Sequence, residues 1–381
     1  APKVGFIVLL ASFITNMLIY LKMKENIKAQ IFSISYAARM ISIAAKITDL
    51  DIGGMDAYKN SIRKSLRKLK GIGRRMYFLM DTSGDYFVEY LKMIFLLELL
   101  SYNRILEILK KNREEYRNLY ETIGFLDSML SIASYRESLD YYTEPVFVKN
   151  TVPGGNMIRA KELYHPLIEN PVSNSIDIRR SILVTGSNAS GKSTFLKTLA
   201  INSVFAQTIY TCLAREYSTV LIFTMTSMAL RDSIENNESY FIAEIKSLKR
   251  IFSMINDEVP CICFIDEILR GTNTIERIAA SSRVLLDLST RNCICMAATH
   301  DIELTSILES IYDNYHFREE ITDNDVVFDY KLYKGKSRTK NALKLLKLMG
   351  FDNSIVAKAE KAAHDFEMKG MWAPIQENAK E

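Results

Sequence analysis

"SILVTGSNASGKSTFLKT", residues 181–198, joins a short apolar run to a helical-looking one through two glycines and a lysine. The segment from Gly186 to Ser193 fits G-x-x-x-x-G-K-[ST], with a predicted strand before it and a predicted helix after it. Gly186 and Gly191 let the backbone curl so that successive N–H groups face inward at a helix N-terminus, which makes a cavity for anionic oxygens. The loop Gly186, Ser187, Asn188, Ala189, Ser190, Gly191, Lys192, Ser193 and Thr194 is therefore the candidate phosphate cradle. Lys192 would place its ammonium on the β- and γ-phosphates of ATP, and the Ser193 hydroxyl would ligate Mg²⁺.

Such a loop needs a carboxylate for its metal. "CICFIDE" (residues 261–267), about 75 residues further on, ends an apolar strand in Asp266 and Glu267. Asp266 is the expected Mg²⁺ partner, and Glu267 the group that orients or deprotonates an attacking water. The bland reading is a plain pair of edge carboxylates, and the spacing disfavours it. At the end of the next strand, "AATHD" puts His300 where an imidazole could reach the γ-phosphate or simply cap a helix. The sequence leaves both open.

Outward from these motifs, strand-like and helical runs alternate: "SILVT" and then 192–210; "STVLIFTMT" and then a helix through Arg250; "CICFID" and then 276–289; "CICMAAT" and then 301–308. That alternation predicts an α/β domain with a mainly parallel sheet. Residues 22–142 instead carry few prolines and apolar residues at three- and four-residue spacing, which predicts an all-α region. Pro and Gly in "TEPVFVKNTVPGGN" (143–156) mark the passage between the two. Within the helical part, "YFVEYLKMIFLLELL" (86–100) is read as a buried bundle helix because Glu89, Lys92 and Glu98 interrupt it. The basic stretch 59–75 is read as the solvated face of an amphipathic helix whose Ile62, Leu66 and Leu69 point inward; a phosphate-contacting surface is the competing reading.

Five cysteines in 381 residues form no evident disulfide framework and fit a reducing compartment. Cys261/Cys263 and Cys293/Cys295 lie on predicted buried strands, so they are expected to be core thiols instead of zinc ligands. The net charge of +4 is unevenly spread, with 22 Lys and Arg against 16 Asp and Glu in residues 1–150. "VGFIVLLASFITNMLIYL" (Val4–Leu21) holds no charge over about the length that crosses a bilayer, and Lys22, Lys24 and Lys28 follow it. This predicts a membrane span with the rest of the chain at the cytoplasmic face. The alternative is a core helix whose Ser12, Thr15 and Asn16 face a partner, and a cleaved signal peptide is disfavoured because the basic residues follow the apolar run. The chain opens on Ala1, not Met, and is expected to be a piece of a longer protein.

"GSNASGKST", "SIENNESYFIAEI" (233–245), "FIDEILRGTNTIERIAAS" (264–281) and "ATHDIELT" (298–305), in this order, resemble the ATPase domain of the MutS family of DNA mismatch-repair proteins. "LYHPLI" (163–168) resembles the His-Pro segment that opens that domain, which adds His165 to the candidate nucleotide contacts. The resemblance runs from about Arg159 to Glu367. It implies an ABC-type P-loop ATPase that works as a homodimer with composite sites, in which a serine from one subunit completes the phosphate pocket of the other. By motif that serine is Ser239, which as the residue before a predicted helix can also serve as its N-cap. The tail 330–367 resembles the strand and helical pair that close the family's domain and help it dimerise. The expected organisation is a hydrophobic segment at 1–22, a helical core- or lever-like domain at 23–150, the ATPase domain at 151–367 and a tail at 368–381. Mismatched or branched DNA is the partner the resemblance implies. The family's mismatch-reading wedge and clamp insertion have no counterpart among these residues, which keeps open a membrane-anchored, non-repair role. A transporter subunit is disfavoured by "DEILRGTNT" and the lack of an LSGGQ-like run.

Overall fold

The structure, a computed structural model, describes residues 2–79, 86–149, 157–187, 189–228, 240–321, 326–337 and 342–374. The chain divides into two compact units, residues 1–137 and 138–381.

The first unit is all helical: α1 (Pro2–Asp49), α2 (Asp56–Lys68), α3 (Ile72–Leu79), α4 (Tyr86–Ile94), α5 (Leu97–Lys111) and α6 (Arg113–Glu137). Its core gathers Ile34, Ala38, Ile41, Ala44, Ile62, Leu69, Ile72, Ile105 and Leu119. Apolar side chains at helical spacing meet there while the charges between them stay in solvent. Ile62 and Leu69 are buried and Leu66 packs beside them, the inward face expected of the basic stretch. The apolar run 86–100 is not one helix. It breaks at Phe95–Leu96, where Leu96 takes a left-handed φ of 51°, and α5 then carries Glu98 onto the Tyr20 hydroxyl, which donates to Oε2 at 2.9 Å.

The first turns of α1 are apolar and exposed, whereas further along Asn16 Nδ2 donates to Ile94 O at 2.8 Å and Tyr20 is buried. Lys3–Met23 has a mean hydropathy of 2.2 and is 6% buried; Gln30–Asp49, further along the same helix, reaches 1.2 and is 22% buried. Both segments are long and apolar enough to cross a membrane.

The second unit is built on two sheets. The larger has six strands in the order β10-β9-β4-β8-β7-β6, where β4 is Ile182–Thr185, β6 Phe223–Ser227, β7 Cys261–Asp266, β8 Cys293–Ala298, β9 Asp313–Ile321 and β10 Val326–Lys334. All pairings are parallel except the antiparallel β9–β10 edge. Helices α7 (Lys192–Thr208), α8 (Tyr240–Met254), α9 (Thr274–Ser289) and α10 (Ile302–Ile307) connect the strands. Strands β4, β7 and β8 are almost continuously buried, as a parallel sheet covered on both faces requires. Cys261 pairs in register with Cys293 and Cys263 with Cys295, and all five thiols are free and buried. No group of three or more His, Cys, Asp or Glu suited to a metal occurs among the described residues.

The smaller sheet has the order β1-β5-β2-β3, from β1 (Val146–Phe147), β2 (Ile158–Leu163), β3 (Asn174–Ile178) and β5 (Glu216–Thr219). Here the run 218–226, which reads as one strand, divides between the sheets. Thr219 ends β5 with its hydroxyl on Met157 O at 2.9 Å, and the Ile222 N–H donates to Gln207 Oε1 at 3.0 Å before β6 begins. Those two bonds turn the backbone out of one sheet and into the other. Helices α11 (Ala342–Leu348) and α12 (Asn353–Lys369) form the closing pair.

Candidate functional site

Strand β4 stops at Thr185, and the turn that follows is strained in a way few residues tolerate. Gly186 has φ 148°, Ala189 64° and Gly191 107°. A Cβ on Gly186 would lie 2.8 Å from Ser190 Oγ and 3.1 Å from Phe317 O, so the first glycine is required by space as well as by φ. The turn delivers Lys192 as the first residue of α7 with its side chain folded back under the loop. Nζ donates to Gly186 O at 2.8 Å and to Ser187 O at 2.7 Å, and the residue is 5% exposed. Burial lowers the ammonium pKa to about 8, against the opposing pull of Glu267, Asp266 and Glu319. A positive charge is thus held out of water with no carboxylate bonded to it among the described residues, a site that favours an anion.

The Ser187 hydroxyl donates to Glu319 Oε2 on β9. Ser190 Oγ is buried with no hydrogen-bond partner among the described residues. Ser193 and Thr194 line a cavity of about 530 Å³ together with His165, Glu267, Phe317 and Tyr330. His165 accepts the Leu167 N–H at Nδ1 (3.2 Å), and burial, then the charge of Lys197, lowers its pKa. A neutral ring with an apolar face therefore borders the cavity.

Strand β7 ends in Asp266, whose Oδ1 is buried and has no hydrogen-bond partner among the described residues. A buried carboxylate oxygen left open beside a hydroxyl-bearing loop fits a hard divalent cation, whose preferred ligands are oxygens. Glu267 follows with φ 56°, its N–H on Ala298 O at 2.9 Å. Its Oε1 lies 2.9 Å from His300 Nε2, and its Oε2 accepts from Arg270 Nη1. His300 therefore meets Glu267. It sits on a loop pinned from below: Thr299 N–H donates to Val184 O at 3.0 Å, and Asp301 takes a bidentate pair from Arg277 at 2.8 and 2.6 Å.

The fold thus brings together the loop from Gly186 to Thr194, His165, Glu267 and, through Glu267, His300. Asn188 and Ser239 lie outside the described residues. The sequence reading missed Glu319, Glu244 and the Arg277–Asp301 pair. Glu319 carries no local signal, since only the β4–β9 pairing brings it to the loop. Glu244 had one: it is a charge among Phe241, Ile242, Ala243 and Ile245.

Residues 182–367 match the family model described as MutS domain V. The chain is 30% identical to MutS protein homolog 4 of Homo sapiens over 285 residues, 69% of this chain and 29% of that protein. It is 29% identical to the DNA mismatch repair protein MSH3 of Candida albicans over 301 residues (71% and 28%). With the DNA mismatch repair protein MutS of Thermotoga maritima it shares 25% over 271 residues (68% and 33%). The chain spans a third or less of the length of these relatives. The glycine turn, the strand-end carboxylates and the His300 loop all fall within the matched segment, and through this domain the chain belongs to the MutS family.

Proposed function

We propose that the second unit is the ATP-binding and ATP-hydrolysing engine of a MutS-like repair protein, and that ATP closes two copies of it face to face. The observation that carries this reading is Lys192. Among the described residues its buried ammonium donates only to two carbonyls of the glycine turn, and Lys192 itself lines the cavity of about 530 Å³. Triphosphate oxygens would supply a directly bonded counter-charge beyond the more distant Glu267, Asp266 and Glu319, and the loop N–H groups and the start of α7 add to the attraction. The neutral His165 ring, with Phe317 and Tyr330, offers apolar faces for the base. Ser193 and Asp266 would hold Mg²⁺, which when bound neutralises charge on the β- and γ-phosphates. Glu267 takes the proton of the attacking water, and His300 and Arg270 hold its two oxygens in place. By the family resemblance, Ser239 of one copy reaches the γ-phosphate held by the other, so hydrolysis removes the bridge between them.

The engine is tested with Lys192→Ala and Glu267→Gln in the full chain. The first should abolish ATP binding. The second should keep binding, lose hydrolysis by roughly 10²–10⁴-fold and run as an ATP-dependent dimer in sedimentation. A Glu267→Gln protein that stays monomeric with saturating ATP would overturn the closure. Mismatched DNA is the proposed partner, on the strength of the mismatch repair that two of these relatives are named for, and branched DNA is included by the family resemblance alone. Absence of salt-sensitive DNA binding or stimulation would remove that part.

A second reading, a membrane-anchored engine, is favoured by α1. Phe6, Ile7 and Val8 are consecutive and 69%, 64% and 62% exposed, so the first turns of the helix are apolar and open on every side, while further along Asn16 and Tyr20 bond Ile94 O and Glu98. A protein groove would cover one face, whereas lipid covers all of them. Lys3–Met23 is 21 residues long, about 31 Å at the helical rise, against a hydrocarbon core of about 30 Å. Retention in the membrane after an alkaline wash, lost on deleting residues 1–22, supports the anchor. Release of the intact chain by that wash refutes it.

A further inference from the structure

Helix α8 and the loop after β7 are joined at two points that nucleotide binding alone does not call for. Glu244, on α8, is 1% exposed, and its Oε1 accepts the backbone N–H of Leu269. Two residues further on, a Cβ added to Gly271 would lie 2.8 Å from Phe241 Cβ and 3.1 Å from Phe241 Cδ2, so the loop backbone lies directly against α8. Leu248 and Ile251 of α8 share one buried cluster with Ile268 and Leu269, and Phe241 packs against it.

What the two points hold is a backbone that would not hold itself. Glu267 and Leu269 both have left-handed φ, 56° and 54°, without being glycine. Each such residue is strained and persists only when its surroundings over-determine it. Burial, the largest influence, raises the Glu244 carboxyl pKa, while the N–H groups of Leu269 and Arg270 oppose that rise.

We propose that Glu244 is the positioning residue for Glu267: with the Gly271–Phe241 contact it ties α8 to the left-handed loop, so that a displacement of α8 moves the Glu267 carboxylate. This deepens the ATPase reading and rests on it for the role of Glu267. Because α8 begins one residue after Ser239, the same tie would let the arrival of a second copy be felt at the water-activating group.

The test uses Glu244→Ala, Glu244→Gln and Gly271→Ala in the full chain, with two readouts that need no activity. Glu244→Ala should speed hydrogen exchange at the Leu269 and Arg270 amides about tenfold, as expected for one lost hydrogen bond to a carboxylate. It should also shift the ring resonances of His300 among the four isotope-labelled histidines, because His300 contacts Glu267. Turnover should fall on the order of a hundredfold while nucleotide affinity stays within about threefold, the pattern of a misplaced catalytic group. Glu244→Gln keeps an acceptor oxygen and should recover part of each loss. Gly271→Ala, which drives a methyl into Phe241, should disturb exchange in the first turn of α8 and shift His300 as well. Unchanged exchange and unchanged His300 resonances in Glu244→Ala would overturn the tie, as would altered exchange with full turnover. If Glu244→Ala fails to fold, Glu244→Gln and Gly271→Ala decide by the same criteria. A wild type that does not hydrolyse ATP would refute the function proposed above, and the exchange and resonance measurements would still decide whether Glu244 positions Glu267.

Discussion

Replacing Lys192 by methionine removes an ammonium that the fold keeps 5% exposed and holds at a pKa of about 8, against 10.5 for a free lysine. Above the folded value and below the free one, the unfolded chain keeps a proton that the folded chain has lost. Stability therefore rises with pH across that window. The 2.5-unit gap corresponds to about 3 kcal/mol of destabilisation that is fully present below pH 8 and is relieved by pH 10.5. Methionine has no such dependence. It does leave Gly186 O and Ser187 O without their donor, at about 1 kcal/mol each, but that loss is the same at every pH. The wild-type protein should therefore gain about 2 kcal/mol on Lys192→Met between about pH 7 and about pH 9.5. Urea unfolding of both proteins without nucleotide, followed by circular dichroism at the two pH values, measures the difference directly. Inorganic pyrophosphate should shrink the effect in the wild type only, because an anion in the turn restores the lysine pKa and is bound with uptake of a proton. A wild-type-minus-variant stability that is flat with pH would refute the claim that burial holds this lysine short of a counter-charge.

Gly186→Ala should weaken nucleotide binding at least tenfold, through about 1–3 kcal/mol of strain at φ 148° added to the contacts with Ser190 Oγ and Phe317 O. Calorimetric titration reads it, and wild-type affinity would show that the turn relaxes freely. Asp301→Ala leaves the Arg277 guanidinium, 22% exposed, without its bidentate partner, and should cost about 3 kcal/mol in urea unfolding. Asp301→Asn should cost less, since it keeps one acceptor, and equal stability of all three proteins would show that the pair is not what pins the His300 loop.

The helical region, the alternation of strands and helices, the buried cysteines and both chemical motifs were legible in the chain, because each is a local pattern. Apolar spacing fixes an element type within one window, and a glycine turn carries its geometry in the few residues that form it. Where local pattern was equivocal, the reading failed. The run 218–226 has uniform strand character, and only Met157 and Gln207, distant in sequence, divide it between two sheets. The run 86–100 has uniform helical character, and its break at Leu96 accompanies the bond between Tyr20 and Glu98.

By itself the sequence determined that a glycine turn ending in a lysine precedes a strand ending in two carboxylates, since residue type and spacing suffice to build both. Which groups surround the turn and the strand end was decided by tertiary structure alone. His300 on Glu267, Glu319 on Ser187 and Glu244 on Leu269 are contacts across 33, 132 and 25 residues. No periodicity records such contacts, because they arise only when strand order in the sheet and the packing of α8 set the ends of β4, β7, β8 and β9 side by side.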